Sequence, residues 1–514
     1  MSARRPAATE KPLMDESTRT AVIFGGAVLL MSAIWLFGFA LRVSLSNDVD
    51  TVARGGISRV LTKGFSDFRD TSVLLIVACA AYLTALWALR KGFPHSFAAT
   101  IVGIVLAGVS MFPAMPLTSP DAVHLAADVR TFWIHHKWPA EFAGTPSQVD
   151  DPVAKEVRVF RTLPSGYGPV AYALGGAPLP FVGDGFTANL VGQKVMGLIF
   201  LTATAAAAGL HAKRLGQNAA LVAGIVGLNP MMTWQYPGDG HNDAMMAFFG
   251  VIALWLVMEK SWARRGGGVF TWLISALCKY ALVLASPVVA AWWWPRWRYA
   301  LTAITVLGAA AVLVAYIKHI GPVQNGTLGP AGAIIQTTPW RWIELWFHTG
   351  RHGRDVITIF GYLSYLIVVG LVMGLHPLTT KIDLVRGVAL VMAVFLFMSP
   401  AYHPWYIIWI LPFAALSNAR YLMAAVVAYS LLAFLPIIAL NWQFTLADSW
   451  GFGRSQNSFT AVEWFTAFMW FGTLLAAYLG WRGRDAVKFG GATSKQSTGP
   501  RFQQRQRKRS SARA

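Results

Sequence analysis

Ser119-Pro120-Asp121-Ala122-Val123-His124-Leu125-Ala126-Ala127-Asp128-Val129-Arg130 follows an apolar run ending near Met115 and opens the longest polar segment between apolar runs. Folded as a helix, it places Asp121, His124 and Asp128 at spacings of three and four, on one face. Two carboxylates and an imidazole then line a boundary between hydrocarbon and water. A helix start alone explains part of this: Ser119 as N-cap, Pro120 in the first turn, Asp121 near the positive dipole end. The remainder of the chain decides between a cap and a site, because its other unusual polar clusters fall on the same side of the membrane.

The 514 residues are 55% hydrophobic and only 13% charged, with a mean hydropathy of +0.49. Many runs reach the ~20 apolar residues that cross a bilayer. The composition predicts an all-α polytopic membrane protein; a β-barrel would alternate with period two. The net charge of +20 sits largely in the tails and short loops, so it speaks of topology rather than of nucleic acid. Cys79 and Cys278 both lie in apolar runs, which argues against a disulfide framework. The first apolar run exceeds a signal-peptide core and reads as an uncleaved anchor behind a polar tail.

Apolar runs near 21–43, 71–90 and 97–115 precede the polar segment. Later runs lie near 187–210, 217–233, 244–258, 268–280, 281–294, 299–317, 355–374 and 384–399, followed by one returning to Arg420, one leaving it, and 462–481. These predict about 14 transmembrane helices (range roughly 12–14) in a domain over 21–481, with 1–20 and 482–514 as cytoplasmic tails. The second tail is basic and low in complexity, and reads as disordered. Residues 116–186 form an extracytoplasmic loop after the third span, and its Gly- and Pro-broken apolar piece up to Val182 lies at the interface. In this arrangement every basic turn faces the cytoplasm, while 119–130, 236–243 and 400–406 face outward. The expected location is a cytoplasmic membrane, with both termini inside. Neither a Walker motif nor a dinucleotide fingerprint is present, which argues against a reaction driven by a cytoplasmic nucleotide.

Asp121 and Asp128 are candidate acid/base or substrate-holding groups, and partial desolvation beside lipid is expected to raise a carboxyl pKa. Arg130 suits a phosphate or a carboxylate, or an interfacial salt bridge. Gly240-His241-Asn242-Asp243 sets three hydrogen-bonding side chains between apolar runs. That is more than a turn and a helix cap require, and it suits sugar hydroxyls. Lys279 stands in an otherwise apolar stretch, so it either lines a cavity or snorkels to the interface. His403, Trp405, Tyr406 and Trp409 form an aromatic group that fits a membrane interface or stacking on a sugar or isoprenoid. No metal set is expected: His135 and His136 are adjacent and point apart on a helix, and His241 with Asp243 lacks a third ligand. The sequon at Asn325 carries little weight.

Taken together these stretches resemble the GT-C superfamily of integral-membrane glycosyltransferases, above all bacterial polyprenol-phosphate-mannose-dependent α-mannosyltransferases. The pattern is Ser-Pro-Asp at Asp121, with an acidic residue and Arg at Asp128 and Arg130. Tyr167-Gly168-Pro169, Asn229-Pro230, Gly240 to Asp243, Lys279-Tyr280, Pro404 to Tyr406, Trp409 and Leu411-Pro412 follow in order. The resemblance spans roughly 115–415. The chain departs from the pattern at Leu125, Val129 and Trp138-Pro139-Ala140, where the family often has Tyr, Gly and Asn-Pro-Tyr.

The resemblance implies a polyprenyl-phosphate sugar donor, mannose first, used outside the membrane with a glycan or glycolipid acceptor. It implies no cofactor at the site. Asp121 would take the proton of the attacking hydroxyl, with inversion at the anomeric carbon. Asp243 is the rival base. Asp128, Arg130, Tyr167, His241, Asn242, Asp243, Lys279, His403, Trp405 and Tyr406 would bind substrate, with Lys279 beside the donor phosphate, helped by Arg130, Lys318 or Arg351. Pentose or glucose transfer is an alternative. A non-catalytic flippase or transporter is another; it predicts midplane ionisable groups and internal repeats, and no clear repeat is present.

Overall fold

The computed structural model describes residues 14–44, 68–116, 119, 121–139, 148–157, 165–304, 307, 338–347, 350–399, 403–439 and 461–482. It is built of helices; among the described residues the only extended pairing is an isolated bridge between Ser44 and Ala114. Helices are what an apolar solvent demands, because a backbone that meets no water must satisfy its polar groups within the segment.

Five helices among the described residues are long and apolar enough to cross a bilayer: Glu16–Ala40, Arg69–Lys91, Phe186–Arg214, Arg420–Ala439 and Val462–Arg482. A sixth crossing arises if Pro230–Gly238 and Asp243–Val257, bent by 118°, count as one broken span. Length and hydropathy thus support five to six spans where the sequence predicts about 14. Several predicted runs fold as shorter pieces. The run at 97–115 is helical over Ser96–Val109. Those at 268–280 and 281–294 become Trp262–Cys278, Tyr280–Ala285 and Ser286–Trp293. The run returning to Arg420 becomes Pro404–Trp409 and Leu411–Leu416. Proline explains where these pieces start: Pro287, Pro404 and Pro412 stand in first turns, where their missing N–H is not needed. Most of the predicted span at 299–317, Lys318, the sequon at Asn325 and the tails 1–13 and 483–514 lie outside the described residues.

The helix ends follow local chemistry. The Asp15 carboxylate accepts from Thr18 N at 2.7 Å and opens Glu16–Ala33. Thr380 and Asp383 form a reciprocal capping box at the head of Lys381–Met398. Phe186–Arg214 has 29 residues, and at ~1.5 Å per residue it outreaches the ~30 Å hydrocarbon core. Its last turn carries His211, Lys213 and Arg214 at the negative dipole end.

That long helix packs on Ser96–Val109, Ala219–Gly227 and Asp243–Val257. Buried Trp234 meets Trp35 and Phe39 edge-on, with ring centroids 5.7 and 4.8 Å apart. The Tyr82 hydroxyl donates to the Ile225 carbonyl at 3.1 Å, and Asn229 Nδ2 donates to Ser430 Oγ at 2.8 Å. These contacts join early and late helices around the broken span, which is where the polar clusters meet.

Candidate active site

The bent pair Pro230–Gly238 and Asp243–Val257 positions the site. Asn229 accepts from Met231 N at 3.0 Å and starts the helix Pro230–Thr233. The next turn, Trp234–Gly238, is more loosely wound and contains Pro237, which cannot donate to the ladder. Asp239 to Asn242 leave the helix, and Asp243 begins the next one. Gly240 has φ +75°, and a Cβ there would lie 2.9 Å from the Ala122 Cβ. Only glycine permits both the left-handed backbone and this approach. The contact seats the break against the helix Asp121–Trp133.

Asp121 Oδ2 consequently lies 3.6 Å from His241 Nδ1, beyond a hydrogen bond but within electrostatic reach. The Asp121 side chain is 24% exposed and the imidazole is fully buried. The His241 ring packs on Trp405, centroids 4.9 Å apart, and His403 stacks on the same indole at 4.3 Å. The Tyr236 hydroxyl donates to the Trp405 carbonyl at 3.2 Å, tying the aromatic group to the break. Segments 119–130 and 236–243 therefore meet at the described part of 400–406. Residues 400–402 lie outside the described residues.

Several buried polar atoms here have no hydrogen-bond partner among the described residues: both ring nitrogens of His241, Asn242 Nδ2, Asp243 Oδ2, Asp128 Oδ1 and Trp405 Nε1. Folded proteins satisfy most buried polar groups. A cluster left open is what a polyhydroxylated ligand would complete.

Lys279 enters from the other side. The helix Trp262–Cys278 ends there in extended backbone, and Lys279 Nζ lies 2.6 Å from Asp243 Oδ1. The same carboxylate oxygen accepts from Trp409 Nε1 at 2.9 Å. The ammonium lies 4.9, 4.4 and 5.3 Å from the ring centroids of Tyr167, Tyr406 and Trp409. Lys279 does not snorkel; it is held in a box of aromatic faces around one carboxylate. Asp243, the rival base, is the ion-pair partner of this lysine. Gly168 explains how Tyr167 gets there: Gly168 N donates to the Cys278 carbonyl at 3.1 Å, and a Cβ would collide with the carbonyl of Leu277.

Arg130 is placed elsewhere. Its Nε donates to Asp151 at 2.9 Å, Nη1 to the Gly183 carbonyl at 3.1 Å, and Nη2 to Asp184 at 2.6 Å. Asp151 also accepts from His135 at 3.0 Å and from the backbone of Val153 and Ala154. Arg130 thus has the salt bridges the sequence allowed for it, and Asp128 pairs with His124 at 3.0 Å. The i,i+4 spacing makes this pair within one helix turn.

The Asp121 carboxyl, on a helix outside the spans, also departs from expectation. Burial pushes it up, but His241, His403 and Lys279, with a hydrogen bond from Ser119, bring it below the usual carboxylate range. Desolvation alone predicts the opposite sign. The partners that reverse it arrive from distant segments.

Two residues stand out beyond those singled out in the sequence. Asp151 organises the loop around Arg130, and nothing local to it announces that role. Lys194 is wholly buried in the first third of Phe186–Arg214, and a lysine inside an apolar run is a signal in itself. Among the described residues no group of three or more His, Cys, Asp or Glu is arranged to hold a metal ion.

Residues 22–296 match the family model described as alpha-(1->6)-mannopyranosyltransferase, N-terminal domain, and residues 334–444 match the model described as MptB C-terminal domain. The chain is 22% identical over 330 residues to alpha-(1->6)-mannopyranosyltransferase B of Corynebacterium glutamicum, covering 56% of this chain and 54% of that protein. It is 28% identical over 130 residues to alpha-(1->6)-mannopyranosyltransferase A of the same organism, covering 25% of this chain and 26% of that protein. The first of these matches spans about half the length of the relative, the second about a quarter. No solved structure matches.

Proposed function

This chain belongs to the alpha-(1->6)-mannopyranosyltransferase family, and on that premise we propose that it is a GT-C-like membrane mannosyltransferase. The donor is a polyprenyl-phosphate mannose and the acceptor a glycan or glycolipid. The observation that carries this reading is the approach of Asp121 to His241 beside a set of buried, unpartnered polar atoms.

Asp121 acts as general base. As the acceptor oxygen bonds to the anomeric carbon, its proton passes to the Asp121 carboxylate. The bond from the anomeric carbon to the phosphate oxygen breaks with its electron pair, releasing polyprenyl phosphate with inversion. His241 and Asn242 hold sugar hydroxyls, and Trp405 with His403 and Tyr406 offers ring faces to the sugar. Lys279 has ammonium protons beyond the one Asp243 takes, and these face the donor phosphate. Tyr167 offers a further ring face beside Lys279, and Asp128 holds a sugar hydroxyl. A buried, pre-oriented cluster of this kind stabilises developing charge better than water does.

The reaction takes place on the extracytoplasmic face. The topology we adopt is the one read from the sequence, about 14 crossings with both termini inside and 116–186 outside. The parity of basic turns supports this topology, and cysteine-accessibility labelling of intact cells reads it directly.

Membranes carrying the protein, supplied with radiolabelled polyprenyl-phosphate mannose, test the activity. Label should move to glycan or glycolipid without added nucleotide. Transfer from nucleotide-linked mannose, with the lipid-linked donor left untouched, would overturn the donor assignment.

A further inference from the structure

Lys194 is a lysine sealed inside the apolar helix Phe186–Arg214, 0% exposed. Its Nζ donates to the carbonyls of Met111 and Phe112 at 3.3 Å each, and to that of Ala114. These acceptors lie just past the end of Ser96–Val109, where a helix leaves carbonyls without intrahelical partners. The same stretch runs on toward Ser119 and Asp121. On its other side Lys194 faces the break: a Cβ on Gly240 would be 3.7 Å from Lys194 Cγ. Buried Asp239, next in the chain, is near enough to interact with the ammonium electrostatically. The neighbouring Gln193 donates to the Gly175 carbonyl at 3.2 Å and so fixes the helix against the loop.

Burying a charge in a membrane protein is costly and persists where it links groups that need fixing. Lys194 bonds the carbonyls of the chain leading to Asp121 and lies against Gly240, which precedes His241. We infer that Lys194 is a positioning residue, which ties the strand of chain entering Asp121 to the turn entering His241 and so sets their separation. This inference rests on the catalytic reading of Asp121 above.

Lys194→Met, purified and reconstituted with lipid, tests it. A misplacement of about 1 Å costs on the order of 10²-fold in rate. The expected result is a fall of that order in kcat per folded enzyme with the donor KM unchanged, and Lys194→Arg restoring most of it through its own N–H donors. Loss of the His241 approach should also move the acid limb of the rate profile upward, which simple loosening of a helix end would not do. Should Lys194→Met fail to fold, Lys194→Gln, which keeps donors and removes charge and reach, takes its place. Hydrogen exchange supplies a readout independent of activity: amides in 111–122 and in 236–243 should both exchange faster in the variant. Faster exchange confined to 111–115, or a wild-type kcat in the variant, would overturn the inference. A wild-type protein that transfers no mannose defeats the catalytic reading, and the exchange pattern still decides whether the tie exists.

Discussion

Lys279 Nζ lies 2.6 Å from Asp243 Oδ1, and both side chains are almost sealed from solvent. Removing one member of a buried pair strands the other charge, at a cost of about 3–5 kcal/mol. Lys279→Met should therefore lower thermal stability as well as transfer, because Asp243 Oδ2 is already without a partner. Adding Asp243→Asn removes the stranded charge, while the amide oxygen can still accept from Trp409. The double variant should regain thermal stability and stay inactive. Unfolding curves in detergent decide this: a single variant as stable as the parent would mean that the pair does not neutralise itself.

The depressed carboxyl of Asp121 sets a pH dependence. A base works when deprotonated, and a pKa below the usual carboxylate range leaves Asp121 ionised at neutrality. The part of the transfer rate that depends on it should be full above the ordinary Asp value of about 3.9 and fall only as pH drops below that. A profile of kcat/KM against pH, in reconstituted lipid, measures it. An acid limb near neutrality that disappears in Asp121→Asn would contradict the sign.

How far the sequence could be read depended on how local each signal is. The i,i+3 and i,i+4 spacing in 119–130 is a property of one helix, and Asp121–Trp133 forms as expected. Gly240 and the polar residues after it stand out within a few positions, and the chain bends by 118° there, between helices Pro230–Gly238 and Asp243–Val257. The partners of Arg130 could not be read in the same way. Asp151 and Asp184 reach it through loop folding, with no periodicity to connect them. The sign of the Asp121 shift failed for the same reason, since His241, His403 and Lys279 come from three other parts of the chain. Lys194 was readable as an isolated charge in an apolar run. Its purpose was not, because carbonyl partners leave no trace in side-chain pattern.

Arg130→Ala should damage the loop rather than donor binding. The guanidinium bridges Asp151, Asp184 and the Gly183 carbonyl, and Lys cannot reproduce that fork. Proteolysis near 150–157 should quicken, while the donor KM stays at the parent value. Burial raises the Asp151 carboxyl, but bonds from His135, the Ala154 amide and Arg130 outweigh this and depress it. A depressed carboxyl stabilises the fold above its unfolded value of about 3.9 and loses that contribution as pH falls through the folded one. The stability gap between Arg130→Ala and parent should thus narrow in that acid window. A donor KM that rises with the loop intact would return Arg130 to the phosphate.

Gly240→Ala tests the seat of the break. A left-handed backbone costs a β-carbon-bearing residue roughly 1–2 kcal/mol, and the new methyl would press on Ala122. Transfer should fall more than stability, because the displaced turn carries His241. Equal activity in Gly240→Ala would show that the approach to Ala122 does not govern the site.

The proton acceptor is the last point, and it separates two carboxylates. A positioned base contributes about 10²–10⁴-fold to a hydroxyl attack. Asp121 is partly open to an incoming acceptor, at 24% exposure, and its neighbours hold it as the anion. Asp243 is buried and its Oδ1 is shared between Lys279 and Trp409, which leaves Oδ2 as the oxygen through which it would act. Asp121→Asn keeps the size and removes the basicity. It should lose about 10²–10⁴-fold in transfer while the protein inserts, unfolds at the parent temperature and binds its lipid donor. Asp243→Asn should instead lose stability together with activity, because it leaves the Lys279 ammonium without its counter-charge. Single-turnover assays with labelled donor, run beside thermal unfolding, distinguish the two patterns. Near-parent turnover in Asp121→Asn, set against a stable but inactive Asp243→Asn, would transfer the role of base to Asp243.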